Sequence, residues 1–175
     1  KILDLGCDIG FLGKLLHKKN HKIAIDGVDV NPKRLSLAKK YYRQTYCFDL
    51  NSAKWPIKGL YDTIVLADTL EHLINPSAAL AKCIRLLKTD GHLIVSVPNI
   101  AFWWARLMIV CGNFPQDKRG IFDRTHLHFY SLFAFKKLLG SFHSVETVDF
   151  LTTIPPLQFI FRGQHQIMFR FIFDK

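Results

Sequence analysis

Asp68, Glu71 and His72 sit within "ADTLEHL", directly after an apolar run, "YDTIVL", that has the pattern of a buried strand. Two carboxylates and an imidazole at i, i+3 and i+4 would share one side of a helical turn. Such a set can hold Mg²⁺, Mn²⁺ or Zn²⁺, can move a proton, or can be the polar start of a helix. Three ligands leave room for a fourth, and His126 in "DRTHLHFYS" is the candidate. His126 and His72 are also the candidate catalytic bases. His128 alternates with His126 and should point away, while His17, His21, His92, His143 and His165 read as surface or turn residues.

A second group of acids gathers around a glycine turn. "KILDL" reads as a strand and "GCDIG" as the turn after it, with Asp4 in the strand and Asp8 in the turn; Asp29 and Asp49 end the next two strands. Glycine lets a backbone approach a nucleotide closely, and a carboxylate about twenty residues further on suits ribose hydroxyls. The G-x-G-x-x-G of a pyrophosphate site fails, because its middle glycine is Asp8 and its last is Phe11. Carboxylates there repel a pyrophosphate. They attract a cofactor carrying an ammonium and a sulfonium, as S-adenosylmethionine does.

The elements that must position these residues alternate along the chain. "FLGKLLHKK" is a helix and "KIAIDGVDV" a second strand, followed by strands at "TYCFDL" and "YDTIVLA". Asn31-Pro32 and Asn75-Pro76 each supply a cap and a proline at the first helical position. The helix begun at Asn75 runs to about Leu87, with Leu80, Cys83, Ile84 and Leu87 inward, and Thr89-Asp90-Gly91 turns into the fifth strand, "HLIVSV". A helix around Phe102 to Val110, a polar basic loop and a helix from Leu132 to Leu139 come next. Two strands, about Ser144 to Leu151 and Gln166 to Phe173, close the chain; the alternating Phe159, Phe161, Phe169, Phe171 and Phe173 have strand spacing. This order predicts an α/β fold: a Rossmann-like, doubly wound and mostly parallel sheet with helices on both faces and ligands at the carboxyl ends of the strands. It reads as one domain, with a cofactor-binding half (1–97), an acceptor-site insertion (98–130) and a C-terminal helix and strands (131–175).

Bulk composition narrows the class. A chain of 175 residues that is 49% hydrophobic and 22% charged is globular rather than disordered. Its net charge of +10 favours anionic partners, yet the basic residues are scattered, as in Lys18-Lys19 and Lys136-Lys137, and read as a solvated surface rather than a nucleic-acid footprint. Cys7, Cys47, Cys83 and Cys111 are far apart in apolar neighbourhoods, which reads as buried free thiols in a reducing, cytoplasmic setting. The run "IAFWWARLMIVC" is interrupted by Arg106 and too short to span a membrane. Phe102, Trp103 and Trp104 read as a core or lid helix, the wall of an apolar acceptor pocket or, with Arg106, a peripheral membrane contact. Lys118, Arg119 and Arg124 could clamp a phosphate or carboxylate.

"ILDLGCDIG", "VDVN", "FDL", "YDTIVLADTLEHL" and "LLKTDGHLIVSVPN", in this order, resemble the motifs of class I S-adenosylmethionine-dependent methyltransferases over residues 1 to about 100. The resemblance implies a seven-stranded sheet whose last strand is antiparallel. It implies that Asp4 and the loop of Gly6, Cys7, Asp8 and Gly10 hold the methionine end, that Asp29 and Val30 meet the ribose, that Asp49 and Leu50 meet the adenine edge, and that Asp68 borders the cofactor. Asp8 stands where the family usually has Gly. Two metal-using branches are similar at the central cluster: ubiquinone-pathway O-methyltransferases and small-RNA 2′-O-methyltransferases, in which a late His matches His126. Both usually carry Glu where this chain has Asp68. The expected function is methylation of a small molecule, at oxygen, with metal-dependent RNA 2′-O-methylation or a non-catalytic methyltransferase-like domain as alternatives.

Overall fold

The structure, a computed structural model, describes residues 1–144, 146–152 and 168–174. Strand and helix alternate from the start: β1 (Ile2–Leu5), α1 (Phe11–Lys19), β2 (Ile25–Asp29), α2 (Pro32–Ala38), β3 (Gln44–Cys47), β4 (Tyr61–Ala67), α3 (Pro76–Leu86), β5 (Leu87–Pro98), α4 (Trp103–Val110), α5 (Leu132–Leu139), β6 (Glu146–Thr152) and β7 (Met168–Asp174). The two Asn-Pro starts work as local chemistry dictates. Asn31 Oδ1 accepts from the Lys33 and Arg34 amides, and Asn75 Oδ1 accepts from the Ala78 amide.

Strands β3, β2, β1, β4 and β5 form an all-parallel sheet, and β7 continues it antiparallel to β5, with β6 outermost and antiparallel to β7. Phe159 and Phe161 lie outside the described residues. Side chains alternate across β1. Leu3 and Leu5 join the main core with Ile64, Leu66, Val95, Leu80 of α3 and Phe135 of α5. Ile2 turns to the other face, where Ile25, Leu35, Ala38 and Tyr42 pack beneath α1. Helices therefore cover both faces, and β1 and β4 point their carboxyl ends at one edge.

Three local expectations need correction. Thr89-Asp90-Gly91 does not end α3 and open a new strand; β5 runs on from Leu87, and the left-handed Asp90 (φ 59°) sits in a bulge where the pairing steps from Tyr61–Leu87 to Thr63–His92. Asp68 to His72 do not form one helical turn, because Asp68 is itself left-handed (φ 48°) and only Leu70–His72 close into a short 3-10 turn. Cys7 and Cys83 are buried, but Cys47 and Cys111 are exposed, since one ends the β3 edge strand and the other follows α4.

Candidate active site

The glycine turn after β1 is shaped by what it touches. Gly6 and Gly10 have φ of 80° and 86°, and a Cβ on Gly6 would lie 2.3 Å from Thr69 Oγ1. The turn is thus pressed against the start of the β4 exit, where only glycine fits. Asp8, also left-handed, donates its amide to Asp29 Oδ2 at 2.9 Å, and the Asn31 amide reaches Asp29 Oδ1 at 2.8 Å. Asp29 therefore ties the β1 and β2 turns together. The Asp8 carboxylate pairs with Arg34.

Beneath the turn lies a residue that sequence reasoning missed. The Tyr42 hydroxyl donates to Asp4 Oδ2 at 2.6 Å and accepts from the Gly13 amide at 3.2 Å. A Cβ on Gly10, Gly13 or Gly27 would lie 2.7–3.0 Å from the Tyr42 ring, so three glycines make the space that this ring fills. Asp4 is only 4% exposed, and burial pushes its carboxyl up to about 6 despite the Tyr42 hydrogen bond, with Asp29 adding to the rise. Cys7 is buried in the same cluster. Val30 is exposed, Asp49 accepts from the Asn51 amide and side chain, and Leu50 is buried and accepts from Trp55 Nε1.

Across from the turn, a cavity of about 600 Å³ is lined by Asp8, Arg34, Asp68, Glu71, His72 and segments 118–120 and 123–126. It joins the end of β1 to the end of β4. The rings of His72 and His126 lie 4.8 Å apart, centroid to centroid, although the residues are far apart in sequence. Glu71, His72 and His126 bring one ligand atom each within 4.8 Å of one another. Asp68, expected in the same set, is not among them. Its left-handed backbone carries the side chain to Ser96, whose hydroxyl approaches Asp68 Oδ1 at 3.4 Å, and it borders the cavity instead. Burial pushes its carboxyl up to about 6.

The hydrogen bonds fix which imidazole nitrogens are free. His72 Nδ1 lies 3.2 Å from the Thr125 carbonyl and 3.1 Å from the Thr125 hydroxyl, whose own proton goes to Asp123 Oδ1 at 2.6 Å. Both Thr125 oxygens can then only accept, so Nδ1 carries a proton, and in the neutral ring the lone pair is on Nε2. His126 Nδ1 likewise donates to the Ile121 carbonyl at 3.2 Å. Burial, and then His72, hold His126 below its usual value, which favours its neutral form. Burial pushes the Asp123 carboxyl up, but the Thr125 hydroxyl and amide outweigh it and hold the group low. Asp123 and Thr125 were not singled out from sequence; the signal was their place in the same "DRTH" as His126.

Glu71 is the anomaly. Its carboxylate is fully buried, and neither oxygen has a hydrogen-bond partner. His126 Nε2 stands 3.9 Å from Oε1, too far for a hydrogen bond. Burial, reinforced by Asp68, pushes the carboxyl up to about 8. His128 turns away from the cluster and stacks on Tyr130. Phe102 is buried with Ile121 and Phe122, Trp103 is exposed, and none of the three clustered aromatics lines the cavity.

A family model described as a methyltransferase domain matches residues 1–142. The chain belongs to the class I S-adenosylmethionine-dependent methyltransferases. Among relatives, this methyltransferase chain is 29% identical over 108 residues to a ubiquinone biosynthesis O-methyltransferase of Alkalilimnicola ehrlichii, covering 57% of the chain and 42% of that enzyme. The chain thus matches less than half the length of that relative. In fold it is similar to the plantazolicin methyltransferase BpumL, solved in complex with SAH (TM-score 0.71, 17% identity, 99% of this chain and 75% of that one). It is equally similar to the [4+2]-cyclase SpnF (TM-score 0.72, 15% identity, 99% and 73%), so the fold alone does not set the reaction. No helix among the described residues is long and apolar enough to cross a membrane.

Proposed function

We propose that this methyltransferase transfers a methyl group from S-adenosylmethionine to a hydroxyl oxygen of a small molecule. The observation that carries the reading is the pair His72 and His126, each with its Nδ1 proton committed to a carbonyl and its Nε2 lone pair free, on the wall of a cavity that reaches the glycine turn. S-adenosylmethionine, when bound, supplies the sulfonium methyl. The Gly6 to Gly10 turn, braced by Asp29 and Tyr42, presents backbone to it, and Asp4 and Asp68 favour its positive charge. The acceptor oxygen must lose its proton as it attacks, and Nε2 of His126 or His72 takes it. The relatives named for O-methylation agree with oxygen as the acceptor atom.

A second reading is favoured by Glu71. A buried carboxylate with two unpartnered oxygens, facing two imidazoles with free Nε2 atoms, is a donor set suited to a divalent cation. Two ligands about 2.1 Å from one ion lie at most about 4.2 Å apart, so the cluster would need to contract by roughly 0.6 Å from its 4.8 Å span. Held there by Glu71, His72 and His126, an ion would acidify the acceptor hydroxyl, and the histidines would act as ligands rather than bases.

The test is methyl transfer from radiolabelled S-adenosylmethionine to a panel of phenols and diphenols, run with and without chelator. Product that survives the chelator and falls in His126→Ala supports the base reading. Product lost with the chelator and restored by Zn²⁺ or Mn²⁺ supports the metal reading. No product with any panel member under either condition, in protein that binds S-adenosylhomocysteine, counts against phenolic oxygen as the acceptor.

A further inference from the structure

We infer that the acceptor carries an anionic group, a phosphate ester or a carboxylate, held by Lys118, Arg119 and Arg124 on the wall of the cavity that His72 and His126 line. The inference rests on the methyltransferase reading of that cavity.

The three cations stand on a fixed frame. The Asp117 amide donates to the Phe122 carbonyl at 2.9 Å, the Arg124 amide returns to Asp117 at 3.0 Å, and the Asp123 amide reaches Gly120 at 3.1 Å, which closes 117–124 into a ring of hydrogen bonds. Ile121 and Phe122 at its base are buried against Phe102, which precedes α4, and Ala105 within it. On the far side, the Leu127 and His128 amides both donate to the Glu71 carbonyl, which ties the segment to the 3-10 turn carrying Glu71 and His72. The loop backbone and the turn that carries the histidine pair's first member are therefore one assembly.

Charge matching supports the assignment. Arg34 is paired with Asp8, Arg43 with Asp26, and Lys88 with Asp62. Among the described residues, the side chains of Lys118, Arg119 and Arg124 have no hydrogen-bond or ion-pair partner. None of the four acids lining the cavity pairs with them: Asp8 is taken by Arg34, Asp123 accepts from Thr125, Asp68 lies against Ser96, and neither Glu71 oxygen has a hydrogen-bond partner. Three like charges gathered on one cavity repel one another unless an anion joins them, and two guanidinium forks match the oxygens of phosphate or carboxylate. A volume of about 600 Å³ fits a small anionic molecule.

The test uses chain saturated with S-adenosylhomocysteine and titrated calorimetrically with phenyl phosphate, benzoate and uncharged phenol. The inference expects one of the two anions to bind at least about tenfold tighter than phenol, and that anion names the source of the charge. Arg124→Ala and the Lys118→Ala/Arg119→Ala pair should each weaken that binding about tenfold, while S-adenosylhomocysteine binding, measured first in each variant, stays within about twofold. Anions no better than phenol, or anion binding unchanged in both variants, would overturn the inference and leave the methyltransferase reading standing. Loss of S-adenosylhomocysteine binding in the unmodified chain would overturn both.

Discussion

Thr125 holds His72 in one tautomer: its hydroxyl gives its proton to Asp123 Oδ1 at 2.6 Å and meets His72 Nδ1 at 3.1 Å. For His72 to act as the proposed base or ligand, its Nε2 must be unprotonated and aimed, and Thr125 is the residue that orients the ring. Thr125→Val keeps the shape and removes the hydroxyl. It should lower kcat about 10- to 100-fold with little change in KM for S-adenosylmethionine, whereas Thr125→Ser should keep most of the rate. Steady-state kinetics on the three proteins check this.

Asp4 sets a pH dependence of stability. Its folded pKa of about 6 lies above the usual 3.8, chiefly through burial, so the folded state binds the proton more tightly than the unfolded one. The stability that this confers is fully present below pH 4 and is lost as pH rises through 6, at a cost on the order of 3 kcal/mol by pH 7. Asp4→Asn retains an acceptor for the Tyr42 hydroxyl without the charge. Thermal unfolding should show it more stable than the parent at pH 7 and no more stable at pH 4, while its affinity for S-adenosylhomocysteine falls.

Gly13 makes room for Tyr42, and a Cβ there would lie 2.7 Å from the ring. Gly13→Ala should cost about 1–3 kcal/mol by overpacking. At Gly112 a Cβ meets nothing within 4 Å, and only its φ of 72° resists substitution, so Gly112→Ala should cost no more than about 1–2 kcal/mol. Urea denaturation of the two variants measures the difference. Gly13→Ala should also weaken cofactor binding, because Tyr42 braces Asp4.

What was legible in the sequence was what short-range chemistry decides. Both Asn-Pro helix starts, the glycine turn and the alternation of strand and helix are set by neighbours within a few residues. Glu71, His72 and His126 were also legible, as residue types with a motif. Their tie through Thr125 was not, because it joins residues 53 apart and depends on a loop closed by backbone hydrogen bonds. Asp68 was misplaced for a different reason: helical spacing predicts a shared face only if every residue is helical, and its left-handed backbone breaks that condition. Tyr42 carries no motif, and only the packing of three glycines around its ring reveals it.

Glu71 predicts a response to metal. If its two unpartnered oxygens belong to a cation site, Zn²⁺ or Mn²⁺ should raise the melting temperature by several degrees at 100-fold excess over Kd. Glu71→Gln and His126→Ala should each abolish the rise. An equal rise in all three proteins would place the ion elsewhere.

Calorimetric titration of the chain with S-adenosylhomocysteine tests most directly the proposal that the turn after β1 holds S-adenosylmethionine where it opens onto the cavity. One ligand should bind per chain with Kd on the order of micromolar, weakened at least about tenfold in Tyr42→Phe, which keeps the ring and loses the hydroxyl that positions Asp4. No binding at millimolar ligand would contradict it.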